Sequence, residues 1–369
     1  MRVGLDIRPL TAAPYSGVGR QALALYNTVR LRADTEVVPF TNAPLTHQHR
    51  TWACAPQRPA AIEGLRSPRE RLRFERDFLP DALSALAIDV YVATGNMGLP
   101  IGLSDVRRQR TRWVLQLHDV FQITQRDPQQ TGVKALFHRW CDRWSIGHAT
   151  RLADAIWVPS TYTAQALVDL FPDTRQRIRL LPGAVPFEAW QCLQQDVFAP
   201  PRYWLMVGTH APRKNIAWFL QAWQQARDTW PDLIPQLVVI GHPRDVPDAP
   251  SQVRFVHGIN DAQLGNWYRQ AERLWHPSLA EGFGLPVLEA AACGTPVATA
   301  RGSSLDEVTP HGAPRFDPED SVGLVQLMHR VARQGRSEDE SLGALHQWAQ
   351  RYDLPTYASR VDELLRELA

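Results

Sequence analysis

Apolar residues in this chain fall into short continuous runs separated by longer stretches with helical spacing. Val3–Ile7, Val37–Phe40, Val90–Thr94, Trp113–Leu117, Ala155–Pro159 and Ile178–Leu181 predict strands of a first half. Trp204–Val207, Gln236–Ile240, Val253–Val256, Leu274–Pro277 and Pro296–Thr299 predict strands of a second. Many of these runs are apolar at successive positions, the pattern of parallel strands covered on both faces. Between them, Gln21–Leu31 and Ala217–Trp230 repeat apolar residues at helical spacing. The segment Pro355–Leu368 predicts a closing amphipathic helix with Tyr357, Val361, Leu364, Leu365 and Leu368 on one side. Two β/α series in succession imply an α/β chain of two doubly wound, Rossmann-like domains. Prolines and polar residues interrupt the pattern after Pro182, which sets domains at 1–185 and 203–354, a linker at 186–202 and a last helix at 355–369.

A length of 369 residues exceeds what one core usually organises, in keeping with two domains. With 44% hydrophobic and 21% charged residues, the composition is that of a globular protein, not a disordered one. No apolar run approaches the ~20 residues of a transmembrane helix. The opening MRVGLDIRPL puts Asp6 where a signal peptide needs an apolar stretch, so a cytoplasmic location is expected. Net charge is only +2, which implies no nucleic-acid partner. Cys54, Cys141, Cys192 and Cys293 contain no closely spaced pair, which argues against a zinc site or disulfide framework. Lys134 and Lys214 are the only lysines, so a lysine inside a motif stands out.

The most informative segment is Glu281-Gly-Phe-Gly-Leu-Pro-Val-Leu-Glu289, directly after a predicted strand. Gly282 and Gly284 allow a sharp turn, and Pro286 suits the first turn of a helix. The free amides of that helix start are a seat for phosphate oxygens. Were the whole stretch helical, the two glutamates would lie ~12 Å apart along the axis. That is too far for the carboxylate pair of a retaining glycosidase, and suits two grips on one long ligand.

With its flank Ala290–Ala300, this segment resembles the signature of the retaining glycosyltransferases of family 4, and is similar to bacterial surface-polysaccharide mannosyltransferases. Supporting segments follow in the family's order: Ser16–Arg20 (SGVGR), Leu117–Val120 (LHDV), Leu181–Val185 (LPGAV) and Val207–Asn215 (VGTHAPRKN). The resemblance implies the GT-B fold, with the two domains facing a central cleft and the last helix packing back on the first domain. It implies that Glu289 holds the nucleotide ribose and Glu281 the donor sugar. Phe283, Gly284 and Leu285 would supply backbone to the diphosphate and sugar. Arg213 and Lys214 would neutralise the departing diphosphate, where charge builds in the transition state. His118 matches a residue beside the donor sugar, its side chain meeting a hydroxyl. Asp119 reads as a second polar contact or a helix cap.

Gly17-Val18-Gly19-Arg20-Gln21-Ala22 fits the dinucleotide fingerprint G-x-G-x-x-A. Its glycines lie ten residues past the first strand, however, and no acidic residue ends the second. Gly17 and Gly19 are therefore read as a backbone anion site for the donor. Arg66–Arg76, with five arginines and two glutamates, and Arg107–Arg112, with four arginines, read equally as solvated faces or as contacts to lipid headgroups or a lipid-linked diphosphate.

The resulting expectation is a retaining hexosyltransferase without metal or other cofactor. The favoured donor is GDP-mannose, and the acceptor a glycan or lipid-diphosphate-linked glycan in bacterial polysaccharide synthesis. It would sit in the cytoplasm, with peripheral contact to the inner membrane through Arg66–Arg76. UDP-glucose or a deoxysugar nucleotide as donor, and a catalytically silent nucleotide-sugar binder, are the alternatives. PGAVPFEAW, from Pro182 to Trp190, lacks the acidic residue common in relatives soon after the glycine, and His210 is an unusual occupant of its loop.

Overall fold

A computed structural model describes residues 1–13, 15–41, 68–102, 110–125, 132–192, 196–209, 211–335 and 337–368. The chain divides into two compact units, Met1–Ala184 with Tyr357–Ala369, and Val185–Thr356.

The first unit is built on a parallel sheet of β1 (Arg2–Asp6), β2 (Glu36–Phe40), β3 (Val90–Ala93), β4 (Arg112–Gln116), β5 (Ala155–Val158) and β6 (Ile178–Leu180), in the order β2-β1-β3-β4-β5-β6. Pro39 is accommodated because β2 is an edge strand. The strands that read as continuous apolar runs are buried on both faces, and each face has its own core. One contains Phe40, Tyr91, Trp113 and Leu115, the other Val3, Leu5, Val92 and Trp157. Helices α1 (Gly17–Arg30), α2 (Pro68–Arg73), α3 (Leu79–Ala85), α4 (Val133–Leu152) and α5 (Thr161–Leu170) connect the strands.

The second unit opens with helix α6 (Phe187–Cys192) and carries β7 (Tyr203–Val207), β8 (Gln236–Ile240), β9 (Arg254–Val256), β10 (Arg273–His276), β11 (Val297–Ala300) and β12 (Arg315–Phe316). Their order is β12-β11-β10-β7-β8-β9, again all parallel. Helices α7 (Ile216–Thr229), α8 (Asp261–Gln270), α9 (Leu285–Ala292), α10 (Ser321–Gln334) and α11 (Leu342–Gln350) complete it. The stretch 186–202, expected as a linker, belongs largely to this unit, because Phe187 and Trp190 are buried in its core beside Tyr268. The two-residue β12 was not predicted.

The final helix, α12 (Leu354–Arg366), buries Tyr357, Val361, Leu364 and Leu365 in the core of the first unit, alongside Val3 and Leu5. Among the described residues no helix is long and apolar enough to cross a membrane.

Candidate active site

Strand order decides where chemistry gathers in the second unit. β7 is the first strand of that sheet and lies between β10 and β8, so the order reverses between β7 and β10. Loops leaving adjacent strands at such a point diverge and leave a crevice for ligand. The loop after β7 carries Arg213 and Lys214; the loop after β10 carries Ser278 and Glu281.

These side chains meet on one carboxylate. Glu281 is buried, and its Oε2 accepts from Arg213 Nη1 at 2.7 Å. Its Oε1 accepts from Lys214 Nζ at 2.6 Å and Ser278 Oγ at 2.7 Å, and lies 3.1 Å from His276 Nε2. Arg213 Nη1 also donates to the Ala280 carbonyl at 2.9 Å, and the Leu279 amide donates to Arg213 O at 2.8 Å, lacing the two loops together. Ser304 Oγ lies 2.7 Å from Glu281 O and 2.9 Å from Phe283 O, which fixes the turn entering α9.

Burial alone would push the Glu281 carboxyl up. Lys214, the hydrogen bond from His276 and Arg213 together outweigh it and hold the group well below the usual carboxylate range. Burial lowers the His276 imidazole, the Glu281 hydrogen bond raises it, and Lys214 and Arg213 lower it further, leaving it below its ordinary value. With His276 neutral, one carboxylate faces two cations, so the cluster keeps a surplus positive charge. Together with the start of α9 it is suited to hold an anion.

Gly284 takes φ 109° as the residue before α9, a left-handed conformation that glycine adopts without strain. Phe283 and Leu285 flank it, and Glu289 sits one turn into the helix. Glu281 lies on the loop, not on the helix. Glu289 is buried and accepts from Tyr268 Oη at 2.9 Å. The structure thus brings Arg213, Lys214 and Glu281 into contact and places Phe283, Gly284, Leu285 and Glu289 on the turn and helix that follow.

In the first unit the strand order reverses between β1 and β3. His118 follows β4, and its Nε2 lies 2.9 Å from the Thr94 carbonyl at the end of β3. A carbonyl only accepts, so this nitrogen carries the proton. Burial lowers the imidazole below its ordinary value against the opposing pull of that bond and of Asp119. Asp119 Oδ1 accepts from the Phe121 amide at 3.1 Å and from Asn96 Nδ2 at 3.3 Å, while Val120 is the residue that precedes the short helix Phe121–Thr124. Gly17 and Gly19 occupy the first turn of α1, where the Gly19 amide donates to Ser16 Oγ at 3.0 Å. One of the amides read as an anion seat is therefore already engaged. His210 and Arg107 lie outside the described residues.

Sequence reasoning missed His276, Ser278, Ser304 and Tyr268. The first two were hidden inside an apolar run, Leu274-Trp-His-Pro-Ser278, whose signal was a polar pair immediately before the glutamate–glycine turn. It also missed the buried Arg8, which pairs with Asp6 at 2.7 Å and Glu75 at 3.2 Å.

The family described as "Glycosyl transferases group 1" matches residues 201–334, the part of the second unit that holds the cluster. O-antigen chain mannosyltransferase B of Escherichia coli is 35% identical to the chain over 150 residues, 37% of this chain and 38% of that protein. O-antigen chain mannosyltransferase RfbU of Salmonella typhimurium is 27% identical over 174 residues, 45% and 47% of the two. The chain thus spans less than half the length of these relatives. Among solved structures, sucrose-phosphate synthase from Thermosynechococcus elongatus matches with a TM-score of 0.70 at 19% identity, over 100% of this chain and 99% of that one. Two six-stranded parallel α/β units, one containing the residues that the group 1 family matches, make this the GT-B fold.

Proposed function

We propose that the protein is a retaining hexosyltransferase, moving mannose from GDP-mannose to a glycan or lipid-diphosphate-linked acceptor in bacterial polysaccharide synthesis at the cytoplasmic side. The observation that carries this reading is the buried cluster of Arg213 and Lys214 on Glu281, at the strand-order reversal beside the start of α9. Two fixed cations opposed by one carboxylate suit a diphosphate that gains charge as it leaves. They supply without a metal the neutralisation a divalent ion gives elsewhere. The names of the relatives from Escherichia coli and Salmonella typhimurium favour mannose as the sugar.

In the reaction, the bond between the anomeric carbon and the phosphate oxygen breaks. The acceptor oxygen bonds to the same face of that carbon, and its proton passes to the departing diphosphate. Arg213 and Lys214 hold the diphosphate, and the backbone from Phe283 to Leu285 meets it and the sugar. Glu289 takes the ribose hydroxyls as a two-oxygen acceptor. Glu281 serves the sugar through the cations it fixes as well as any hydroxyl it reaches. By the family resemblance, His118, Gly17 and Gly19 would also contact the donor.

Thermal unfolding with GDP, UDP, dTDP and ADP, each with EDTA, tests this reading. GDP is expected to raise the midpoint, Glu289→Ala to abolish the rise, and GDP-mannose to be turned over. A rise with UDP or dTDP instead would move the donor to UDP-glucose or a deoxysugar nucleotide. A rise without turnover on any donor would make the chain a silent binder, and a requirement for added metal would overturn the metal-free mechanism.

A further inference from the structure

Helix α4 (Val133–Leu152) carries an apolar face that no other described residue covers. Leu136, Phe137, Trp140 and Trp144 are 66%, 59%, 63% and 43% exposed. At ~100° per residue these four fall within one arc of about 100° on the helix. The Phe137 and Trp140 rings stack at 6.3 Å, so the arc is a continuous aromatic surface. The large tryptophans of the strands behave otherwise: Trp113, Trp157, Trp204 and Trp275 are all buried.

The surroundings of the arc are basic. Arg71 of α2 donates to Ser145 Oγ at 2.9 Å and lies 3.9 Å from Asp142, fastening α2 beside α4. Residues 69–78 and 136–152 together hold seven basic and four acidic side chains, a surplus of three positive charges in a chain whose total is +2. One of the four acids, Glu75, is buried against Arg8 and does not offset the outer charge. Arg69, Arg73, Arg76, Arg143 and Arg151 are exposed, as is Leu72.

We propose that this face of α4 docks the protein on an anionic phospholipid bilayer. Tryptophan, with an apolar body and a polar tip, suits the boundary between acyl chains and headgroups. Flanking arginines are drawn to anionic headgroups. A second copy of the chain is disfavoured as occupant, since pairing two such faces would bring their positive surpluses together.

This relocates the membrane contact expected at Arg66–Arg76. Arg66 lies outside the described residues, Arg71 is turned to Ser145 and Asp142, Arg73 bonds Glu70 at 3.1 Å, and Arg76 bonds Asp77 at 2.6 Å. Those arginines supply background charge, while the apolar insertion comes from α4.

The inference goes beyond the transfer reaction and is tested without it. The full chain is floated with vesicles of phosphatidylethanolamine and phosphatidylglycerol, and with vesicles of phosphatidylcholine alone. Binding is expected to the anionic vesicles only, and to weaken as salt rises. Phe137→Ser combined with Trp140→Ser should weaken it at least about ten-fold, since two large apolar side chains no longer insert. Arg143→Glu, at an exposed position, should weaken it on anionic vesicles as well. Both variants should keep the wild-type unfolding midpoint and nucleotide response. No binding by the wild-type chain, or equal binding by both variants, overturns the proposal. A vesicle-independent dimer that the double variant dissociates also overturns it, giving the face to a second copy.

Discussion

Four hydrogen-bond donors converge on the Glu281 carboxylate, and one of them, His276, sets how the cluster responds to acid. Its imidazole is held below the ordinary value of 6.5 by burial first, then by Lys214 and Arg213, against the pull of Glu281. As pH falls through the ordinary value, the unfolded chain therefore takes up this proton before the folded one does. Stability is full above the unfolded value and is lost as pH falls towards the folded one, by up to about 1.4 kcal/mol per pH unit for one group. Glu281 has the same sign lower down, its contribution being lost only as pH falls below the ordinary carboxylate value of 4.5 towards its depressed one. His276→Gln keeps an amide near the Nε2 position but does not titrate. Between about pH 7 and pH 5 the variant should lose less stability than the wild type in urea unfolding. Parallel curves would mean that His276 does not stay neutral in the fold. Taking the difference between the two proteins removes His118, whose imidazole is also lowered and would otherwise add to the slope.

At the scale of elements, the turn into α9 is where the strand–turn–helix unit is least tolerant of change. A Cβ on Gly284 would sit 2.9 Å from Leu305 Cδ2 and 3.1 Å from Val308 Cγ2, and φ 109° is itself unfavourable for an L residue. Gly284→Ala is expected to cost roughly 1–3 kcal/mol in urea unfolding and to blunt stabilisation by GDP. A neutral substitution would mean that the turn relaxes freely. This turn was legible in the sequence because two glycines, a proline and two glutamates at fixed spacing constrain the backbone and the chemistry together. Eleven of the twelve strands among the described residues were legible for a simpler reason: buried parallel strands are apolar at successive positions. Arg315–Phe316 was not, since two residues carry no period. His276 was hidden because a single polar residue ending a buried strand resembles ordinary interruption. The face of α4 was hidden because an exposed tryptophan and a core tryptophan read alike until the packing around each is known.

For the whole molecule, the chain path matters as much as the sheets: the first unit is discontinuous, closed by residues that follow the entire second unit. The closing helix is tied to it by apolar and polar contacts. Tyr357, Val361, Leu364 and Leu365 are almost wholly buried, Arg360 Nε donates to the Leu180 carbonyl at 3.0 Å, and Arg179 Nε bonds Glu367 at 2.7 Å. Arg32 pairs with Asp362 as well. At ~1.5–3 kcal/mol for each large apolar side chain, the four core residues contribute about 6–12 kcal/mol. That is comparable with the total of about 5–15 kcal/mol that holds a domain folded. A chain ended after Thr356 should therefore lose the first unit and keep the second, whose core of Trp204, Trp275, Leu288 and Val297 draws on none of the deleted residues. Hydrogen exchange distinguishes the outcomes. Amides of β1 and β3–β5 should lose protection in the truncated chain while those of β7, β8, β10 and β11 retain theirs. Retained protection in β1 and β3 would mean that the last helix covers the first sheet without being needed to hold it. Loss throughout would mean that the second unit depends on the first for its own stability, which the separate cores argue against.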